Sequence, residues 1–211
     1  MAKDLIFDID GTLWDSTDGI AGAFNEILLE EPLVQPYYPL TAEDLKREFG
    51  KPLYDIGYSL FPAVPKEENN RIIDRMCDHE VAWLRSHIQP AYPGVIETLK
   101  ALSETCRLFI VSNCQAGYAE CFIETHGLEP LIMDHLCPGD TGLLKADNIR
   151  LLIERYALTT PVYIGDTAGE EAACREAGVP FIHAAYGFGE AEAPAGVLTR
   201  FNELPHLIET L

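Results

Sequence analysis

The sequence predicts an α/β fold: a doubly wound parallel sheet into which an α-helical cap domain is inserted. Short apolar runs alternate with amphipathic helical stretches, an order that is typical of a parallel sheet with helices on both faces. This alternation is interrupted once, between the first apolar run and residue 107, where helix signals follow one another without a strand-like run. We therefore expect an α/β core at 1–14 and 91–211 and a helical cap domain at 15–90.

Five short apolar runs carry the strand prediction. The first contains Leu5-Ile6-Phe7, which reads as a buried strand. The segment 145–156 lies between two later runs and has apolar residues at helical spacing. The predicted strands are 4–10, 107–111, 131–136, 162–165 and 180–184.

The interrupting segment contains three helix signals. Ile20, Phe24 and Ile27 form an apolar stripe with helical spacing. Thr41 is followed by acidic residues, as expected at the beginning of a helix. Pro65 can open a long helix that continues through His87, and several prolines separate these elements. The segment is thus predicted to be a small helical domain joined to the core by two hinges.

Composition and charge exclude several classes of protein. The chain has 211 residues, 47% hydrophobic, which is enough to bury a core. Its net charge of −19 is unsuited to a nucleic-acid backbone, which needs clustered basic residues. No apolar run approaches the roughly 18–20 residues of a membrane span. The first residues enter the first strand without signal-peptide features, so we expect a soluble, cytoplasmic protein. The sequence does not indicate an oligomeric state.

Asp8 and Asp10 follow the first apolar run and precede a Gly-Thr turn. Because strand side chains alternate between faces, we expect both carboxylates on one side, about 6–7 Å apart. Two like charges about 4 Å apart repel by roughly 4 kcal/mol at an effective dielectric constant near 20. Such a pair binds a metal ion, shares a proton, or points apart into water as an ordinary polar strand end. The two residues alone leave these alternatives open.

Polar residues also follow three later strands of the predicted sheet. Ligands of parallel α/β sheets bind beyond the carboxyl ends of the strands. Each feature alone is ordinary, because a turn, a helix cap or a solvated lysine explains it. Together they favour a site at one sheet edge. The features are Ser112-Asn113, Lys145, and Gly165-Asp166-Thr167 with Glu170 and Glu171 behind it.

With these motifs in this order, the chain resembles the haloacid dehalogenase-like (HAD) hydrolase superfamily, in its helical-cap phosphatase branch. The resemblance covers nearly the whole chain and implies a Rossmann-like catalytic core with a helical cap. The segment Tyr186-Gly187-Phe188-Gly189 resembles the phosphoglycolate phosphatase-like members. The matching motifs are Asp8-x-Asp10-Gly11-Thr12-Leu13-x-Asp15-Ser16, Val111-Ser112-Asn113, Lys145 and Gly165-Asp166-Thr167-Ala168-Gly169-Glu170.

The resemblance implies a magnesium-dependent phosphatase that hydrolyses a small phosphorylated metabolite. In this interpretation Asp8 is the nucleophile and forms an aspartyl-phosphate, and Asp10 is the general acid and then the general base. Lys145 supplies a fixed positive charge to the phosphoryl group. The implied phosphate-binding residues are Thr12, Ser112, Asn113 and Lys145. The implied Mg²⁺ ligands are Asp8, the backbone carbonyl of Asp10, Asp166 and Glu170.

Glu170 departs from the pattern of the family, whose members usually carry aspartate at this position. A longer side chain could reach the metal ion through water, which puts the affinity or the geometry of the site in doubt. Alternatively, Glu170 and Glu171 are only acids in the first turn of a helix, which the helix dipole favours.

Two other functions remain possible at this level. A sugar phosphomutase of the β-phosphoglucomutase type uses the same cap and the same aspartyl-phosphate, but it must also hold a second phosphate. Arg47 and Lys51, with Lys46, surround a segment that resembles the substrate-specificity loop of the family, although they also fit solvated helix charges. A non-catalytic phosphate-sensing or partner-binding module is the third possibility. Asp10 argues against a dehalogenase, because a leaving halide needs no proton.

Overall fold

The computed structural model describes residues 3–36 and 38–210. The chain divides into two compact units, one formed by 1–15 with 90–211 and the other by 16–89. We call them the sheet unit and the helical unit. Among the described residues, no helix combines the length and the apolar character needed to cross a membrane.

Within its described residues, the sheet unit is built on six parallel strands in the order β3-β2-β1-β4-β5-β6. β1 lies at the centre, and Ile6 is paired with Phe109 of β2 and with Tyr163 of β4. The predicted α/β fold with a parallel sheet is therefore confirmed. The strands are β1 (Asp4–Phe7), β2 (Arg107–Val111), β3 (Ile132–Leu136), β4 (Pro161–Gly165), β5 (Phe181–Ala184) and β6 (Gly196–Leu198).

Both faces of the sheet are covered, which explains the continuous apolar run of β1. Ile6 belongs to a buried cluster that includes Ile149 and Cys174. The next residue, Phe7, points to the opposite face, where its ring lies 5.9 Å from that of Phe201. The helices of this unit are α5 (Val95–Ser103), α6 (Tyr118–Thr125), α7 (Pro138–Thr141), α8 (Lys145–Tyr156), α9 (Ala168–Ala177) and α10 (Leu204–Glu209).

The first predicted strand, 4–10, is too long, because β1 ends at Phe7. The chain turns instead: the carbonyl oxygen of Ile9 accepts hydrogen bonds from the N–H groups of Thr12, Leu13 and Trp14. The Asp8 N–H still donates to the carbonyl of Ile164 at 2.9 Å, but the chain bends after Asp8, so strand alternation does not determine the direction of Asp10. The prediction also missed β6, a strand of only three residues. Bounds of the other strands agree with the predictions within one residue.

Gly11 is required in this turn for two reasons. Its φ of 77° lies in the left-handed region, which glycine adopts without steric cost. A Cβ atom at this position would also lie 2.1 Å from Oδ2 of Asp166. Only glycine at position 11 therefore allows the turn to lie this close to Asp166, at the end of β4.

In its described part, 16–36 and 38–89, the helical unit contains four α-helices and a short 3₁₀ turn at Pro32–Val34. Thr41 begins α2 with a capping box, in which its side chain accepts from the Asp44 N–H and the Asp44 carboxylate accepts from the Thr41 N–H. The predicted long helix at 65–87 is α4, within one residue at each end. The helices are α1 (Thr17–Leu28), α2 (Ala42–Lys46), α3 (Leu53–Leu60) and α4 (Lys66–Ser86).

The interior of the helical unit is mainly apolar. Ile20 and Phe24 of α1 and Ile73 of α4 are buried. α1 packs against α4, so the amphipathic stripe predicted for α1 forms part of this core.

Candidate active site

A buried ion-pair cluster lies beyond the carboxyl ends of β1 and β4. The Lys145 ammonium donates hydrogen bonds to Oδ1 of Asp8 at 2.8 Å and to Oε1 of Glu170 at 2.5 Å. These side chains are 5%, 6% and 1% exposed, respectively. Burial of charged groups is unfavourable unless they are paired, and here the ammonium is the shared partner of both carboxylates.

Three separate elements position this cluster. Asp8 comes directly after β1, Lys145 is the first residue of α8, and Glu170 lies in the first turn of α9. Since parallel strands end at the same edge of a sheet, the loops that leave them bring distant residues together. The Lys145 ammonium also lies 5.6 Å from the centre of the Tyr163 ring, which closes one side of the cluster.

Glu170 has two structural tasks. Its Oε2 atom accepts hydrogen bonds from the backbone N–H groups of Asp166 at 2.8 Å and Thr167 at 3.1 Å, while the Thr167 hydroxyl accepts from the Glu170 N–H. Its Oε1 atom accepts from Lys145. A Cβ atom at position 165 would lie 2.3 Å from Oε2, so Gly165 is needed for this arrangement. The sequence interpretation missed the role of Glu170 in holding Lys145, and its predicted role as a metal ligand stays a prediction.

Asp166 is held by the segment that resembles phosphoglycolate phosphatase-like members. The N–H of Phe188 donates to Oδ2 of Asp166 at 2.7 Å. Gly187 makes this approach possible, because a Cβ there would lie 2.4 Å from Cβ of Asp166. The Tyr186 hydroxyl donates to the backbone oxygen of Thr12 at 2.8 Å, which ties the same segment to the turn after β1. This positioning role of 186–188 was also missed.

The acids of the site repel one another strongly. Burial, and then the charge of Glu170, raise the pKa of Asp8 well above its usual range, although Lys145 opposes the shift. Burial and the same glutamate raise the pKa of Asp166 to about 8. Burial disfavours the charge of Lys145, but the carboxylates of Asp8 and Glu170 outweigh it and raise the lysine's pKa. One ammonium thus faces three buried carboxyl groups and leaves an excess of negative charge.

This excess of negative charge fits a divalent cation. One carboxylate oxygen each from Asp8, Asp166 and Glu170 lies within 4.8 Å of the others, and all three residues are buried. Carboxylate oxygens are the preferred ligands of hard cations such as Mg²⁺. A cation at this position would also remove the repulsion that raises the pKa values of Asp8 and Asp166.

Asp10 lies beside this cluster and is hydrogen-bonded to two buried aromatic side chains. The Tyr118 hydroxyl donates to Oδ1 of Asp10 at 2.7 Å, and the Trp14 indole N–H donates to the same atom at 3.0 Å. Neither aromatic residue was among the predicted site residues. Trp14 occupies an unspecified position within the first motif, which is a weak signal, whereas nothing in the sequence indicates Tyr118.

The predicted phosphate-binding residues differ in their surroundings. Ser112 follows β2, is 4% exposed, and donates its N–H to the Leu136 carbonyl at 3.3 Å. Asn113 is half-buried next to it. Thr12 is completely buried within the turn after β1; its N–H is bonded to Ile9, and its hydroxyl has no hydrogen-bond partner among the residues that the structure describes. The phosphate-binding roles of these residues stay predictions.

Arg47 and Lys51, the predicted specificity residues, belong to the helical unit. Arg47 is paired with Asp44, and Lys51 with Glu48 at 2.6 Å, in exposed ion pairs three residues apart. Such pairs fit solvated helix charges as well as a substrate contact. Their predicted role therefore stays a prediction.

Glu171 is directed toward another part of the sheet unit. Its two carboxylate oxygens accept hydrogen bonds from the N–H groups of Glu192 at 2.8 Å and Ala193 at 2.7 Å. The glutamate therefore anchors the loop before β6. Of the two acids that follow Asp166, Glu170 is the one that joins the buried cluster.

Comparison with known proteins identifies the family. The chain matches the model of the haloacid dehalogenase-like hydrolases over residues 5–184, and it therefore belongs to this family. Its fold is also that of a haloacid dehalogenase-like family protein from Streptococcus pneumoniae, with a TM-score of 0.82 and 21% identity over 100% of this chain and 99% of that one. The predicted family and fold are confirmed.

Related sequences extend over almost the full length of the chain. The phosphoglycolate phosphatase of Rhodospirillum rubrum is 29% identical over 98% of this chain and 90% of its own length. The phosphoglycolate phosphatase of Rhodobacter capsulatus is 27% identical over 99% of this chain and 98% of its own length. These relatives place the chain among the phosphoric monoester hydrolases of the family, as the sequence analysis predicted.

Proposed function

We propose that the protein is a magnesium-dependent phosphatase that hydrolyses a small phosphate monoester through an aspartyl-phosphate on Asp8. The observation that carries this proposal is the buried Asp8 carboxylate, which Lys145 holds at 2.8 Å beside Asp166. No packing requirement explains why these charged groups converge at the carboxyl edge of the sheet. A carboxylate fixed beside a lysine and a cation site is suited to attack on phosphorus, where catalysis is mostly positioning and charge stabilisation.

As the substrate we propose phosphoglycolate. Support comes from relatives named phosphoglycolate phosphatase, which align with nearly the whole chain. Phosphoglycolate is small and anionic, whereas the chain has a net charge of −19. Attraction of the substrate must therefore be local, because exposed charges are screened over about 8 Å at physiological salt.

In the first half-reaction, an oxygen of Asp8 attacks phosphorus and the bond from phosphorus to the leaving oxygen breaks. Asp10 donates its proton to this oxygen, so the product leaves as an alcohol. In the second half-reaction, Asp10 accepts a proton from water as the water attacks phosphorus. The phosphate then leaves, and Asp8 is regenerated as a carboxylate. Lys145 favours the ionised form of Asp8 through its hydrogen bond, against burial and the charge of Glu170, and contributes positive charge toward the phosphoryl oxygens.

The residues that would hold Mg²⁺ are Asp8, Asp166 and the backbone carbonyl of Asp10, with Glu170 able to contribute a carboxylate oxygen. When bound, the ion would neutralise charge on the transferring phosphoryl group. Glu170 keeps Lys145 next to Asp8 by its hydrogen bond to the ammonium. We also propose that the helical unit serves as the cap that selects the substrate. The expected cytoplasmic location stays a prediction.

The proposal is tested by phosphate release from a panel of phosphorylated metabolites that includes phosphoglycolate, with Mg²⁺ and with EDTA. Asp8→Asn removes the nucleophile while keeping nearly the same shape, so we expect turnover to fall by more than about a thousandfold. Borohydride reduction should trap the aspartyl-phosphate in the wild type and not in this variant.

Two outcomes would favour the alternatives. Isomerisation of a hexose 1-phosphate in the presence of a trace of bisphosphate, without release of phosphate, would indicate a mutase. Binding of phosphate esters by a wild-type protein that hydrolyses none of them would indicate a non-catalytic module. Asp147→Asn, at an exposed aspartate of α8, is a matched control and should retain wild-type activity.

A further inference from the structure

Two buried aromatic side chains donate hydrogen bonds to the same oxygen of Asp10. Tyr118 donates through its hydroxyl group and Trp14 through its indole N–H, at 2.7 and 3.0 Å from Oδ1. The two aromatic residues are 2% and 1% exposed. A buried phenol or indole needs a hydrogen-bond partner, and the indole N–H can only donate.

The α6 helix holds both donors in place. The Trp14 ring meets the rings of Tyr118, Phe122 and His126 edge-on, with centres 5.8, 5.0 and 5.6 Å away. These three residues are spaced by four and therefore share one face of the helix. The backbone of Trp14 is fixed independently, because its N–H donates to the carbonyl of Ile9 and its carbonyl accepts from Gly11. Neither donor can leave Asp10 without disrupting this packing.

We propose that Tyr118 and Trp14 are positioning residues that orient Asp10, so that Oδ1 stays an acceptor and Oδ2 carries the proton for the leaving group. A carboxyl oxygen has two lone pairs, and the two donors occupy both of them on Oδ1. A proton on Oδ1 would displace one donor and leave a buried N–H or O–H without a partner. During transfer, the Oδ2–H bond breaks, a bond forms between this proton and the leaving oxygen, and the electron pair stays on the carboxylate. This inference rests on the proposed function.

The test uses kcat/KM for esters whose leaving groups differ in basicity. In a two-step mechanism, kcat/KM reports the half-reaction in which the leaving group departs, whereas kcat also contains the hydrolysis of the aspartyl-phosphate. Tyr118→Phe removes only the hydroxyl group from the pair. We expect kcat/KM to fall about tenfold for an alkyl phosphate and less than about twofold for p-nitrophenyl phosphate, because only the poor leaving group needs the proton. Trp14→Phe should likewise lower kcat/KM more for the alkyl phosphate than for p-nitrophenyl phosphate.

A double-mutant cycle separates positioning from a general structural effect. In an Asp10→Asn background there is no proton to orient, so adding Tyr118→Phe should cause no further loss with the alkyl phosphate. A purely structural role would reduce activity by the same factor in both backgrounds. Tyr156→Phe is the matched control. Tyr156 is the last residue of α8, at the end opposite Lys145, and its hydroxyl is hydrogen-bonded to Asp134 of β3. This control should leave the ratio between the two substrates unchanged.

Failure of this inference can be distinguished from failure of the proposed function. A wild-type protein that hydrolyses neither these two esters nor any phosphorylated metabolite of the panel would overturn both. If the wild type is active and Asp8→Asn is inactive, the proposed function stands. In that case, equal losses of kcat/KM on both esters in Tyr118→Phe, or an undiminished loss in the Asp10→Asn background, would overturn the positioning role alone.

Discussion

Without a bound cation, the stability of the sheet unit should fall as the pH rises from 6 to 8. The reason is the raised pKa of Asp166, which burial and the charge of Glu170 bring to about 8. At pH 6 the folded protein holds a proton on Asp166, whereas in the unfolded chain this carboxyl group is ionised, with an ordinary pKa near 3.9. The folded state therefore binds more protons, and raising the pH favours unfolding.

The magnitude follows from linkage. A group with a raised folded-state pKa contributes stability below its unfolded pKa and loses it as the pH rises through the folded one. Between these limits, each extra proton changes the unfolding free energy by about 1.4 kcal/mol per pH unit. Ionisation of Asp166 alone should lower the free energy of unfolding by about 2 kcal/mol between pH 6 and 8. Asp8, whose pKa is also raised, acts in the same direction. Glu31 and Glu170, with lowered pKa values, act below this window.

The assay is urea unfolding in EDTA at pH 6, 7 and 8, followed by tryptophan fluorescence. The chain has two tryptophans, and Trp83→Phe leaves Trp14 to report on the sheet unit alone. Asp166→Asn should flatten the pH dependence, since it removes one titrating group and also weakens the repulsion on Asp8. The matched control is Asp147→Asn, at an exposed position of the same unit, and it should keep the wild-type slope.

Magnesium should reverse the trend. At pH 8 a concentration 100 times the dissociation constant should raise the unfolding free energy by about 2.7 kcal/mol, and the gain should be smaller at pH 6, where protons compete. The reasoning is refuted if stability in EDTA stays constant or rises between pH 6 and 8. A slope that is unchanged in Asp166→Asn would assign the effect to other groups.

Two further substitutions test the remaining groups of the site. Asp10→Asn should reduce kcat/KM for an alkyl phosphate about a hundredfold and for p-nitrophenyl phosphate less than about tenfold, a contrast that equal losses would contradict. Glu170→Gln leaves Lys145 with one buried carboxylate partner. The free energy of unfolding, measured with urea at pH 7, should therefore be about 3 kcal/mol lower than in the wild type. Glu176→Gln removes an exposed partner of Arg150 and should lower the free energy of unfolding by less than about 1 kcal/mol. Similar losses of stability in both glutamine variants would show that burial of the Lys145 pair is unimportant.

Much of the fold could be predicted because local patterns and tertiary structure agree. β2 contains the apolar run of a strand that is buried on both faces, and its bounds match the prediction. The amphipathic pattern of α8 is equally clear, and this helix also begins and ends where predicted. β6 has three residues, too few for any period to appear, and was missed. Residues 8–10 were assigned to a strand because apolar periodicity does not indicate where the chain turns.

By itself, the sequence determined the family and the set of polar residues that follow the strands. The order of the motifs carries this information, because parallel strands must present their carboxyl ends at one edge. Only the tertiary structure decided which partner each polar group has. Glu170 holds Lys145, and Tyr118 and Trp14 share one oxygen of Asp10. Hydrogen bonds depend on fractions of an ångström and on burial, and residues 108 positions apart meet only when the sheet is assembled.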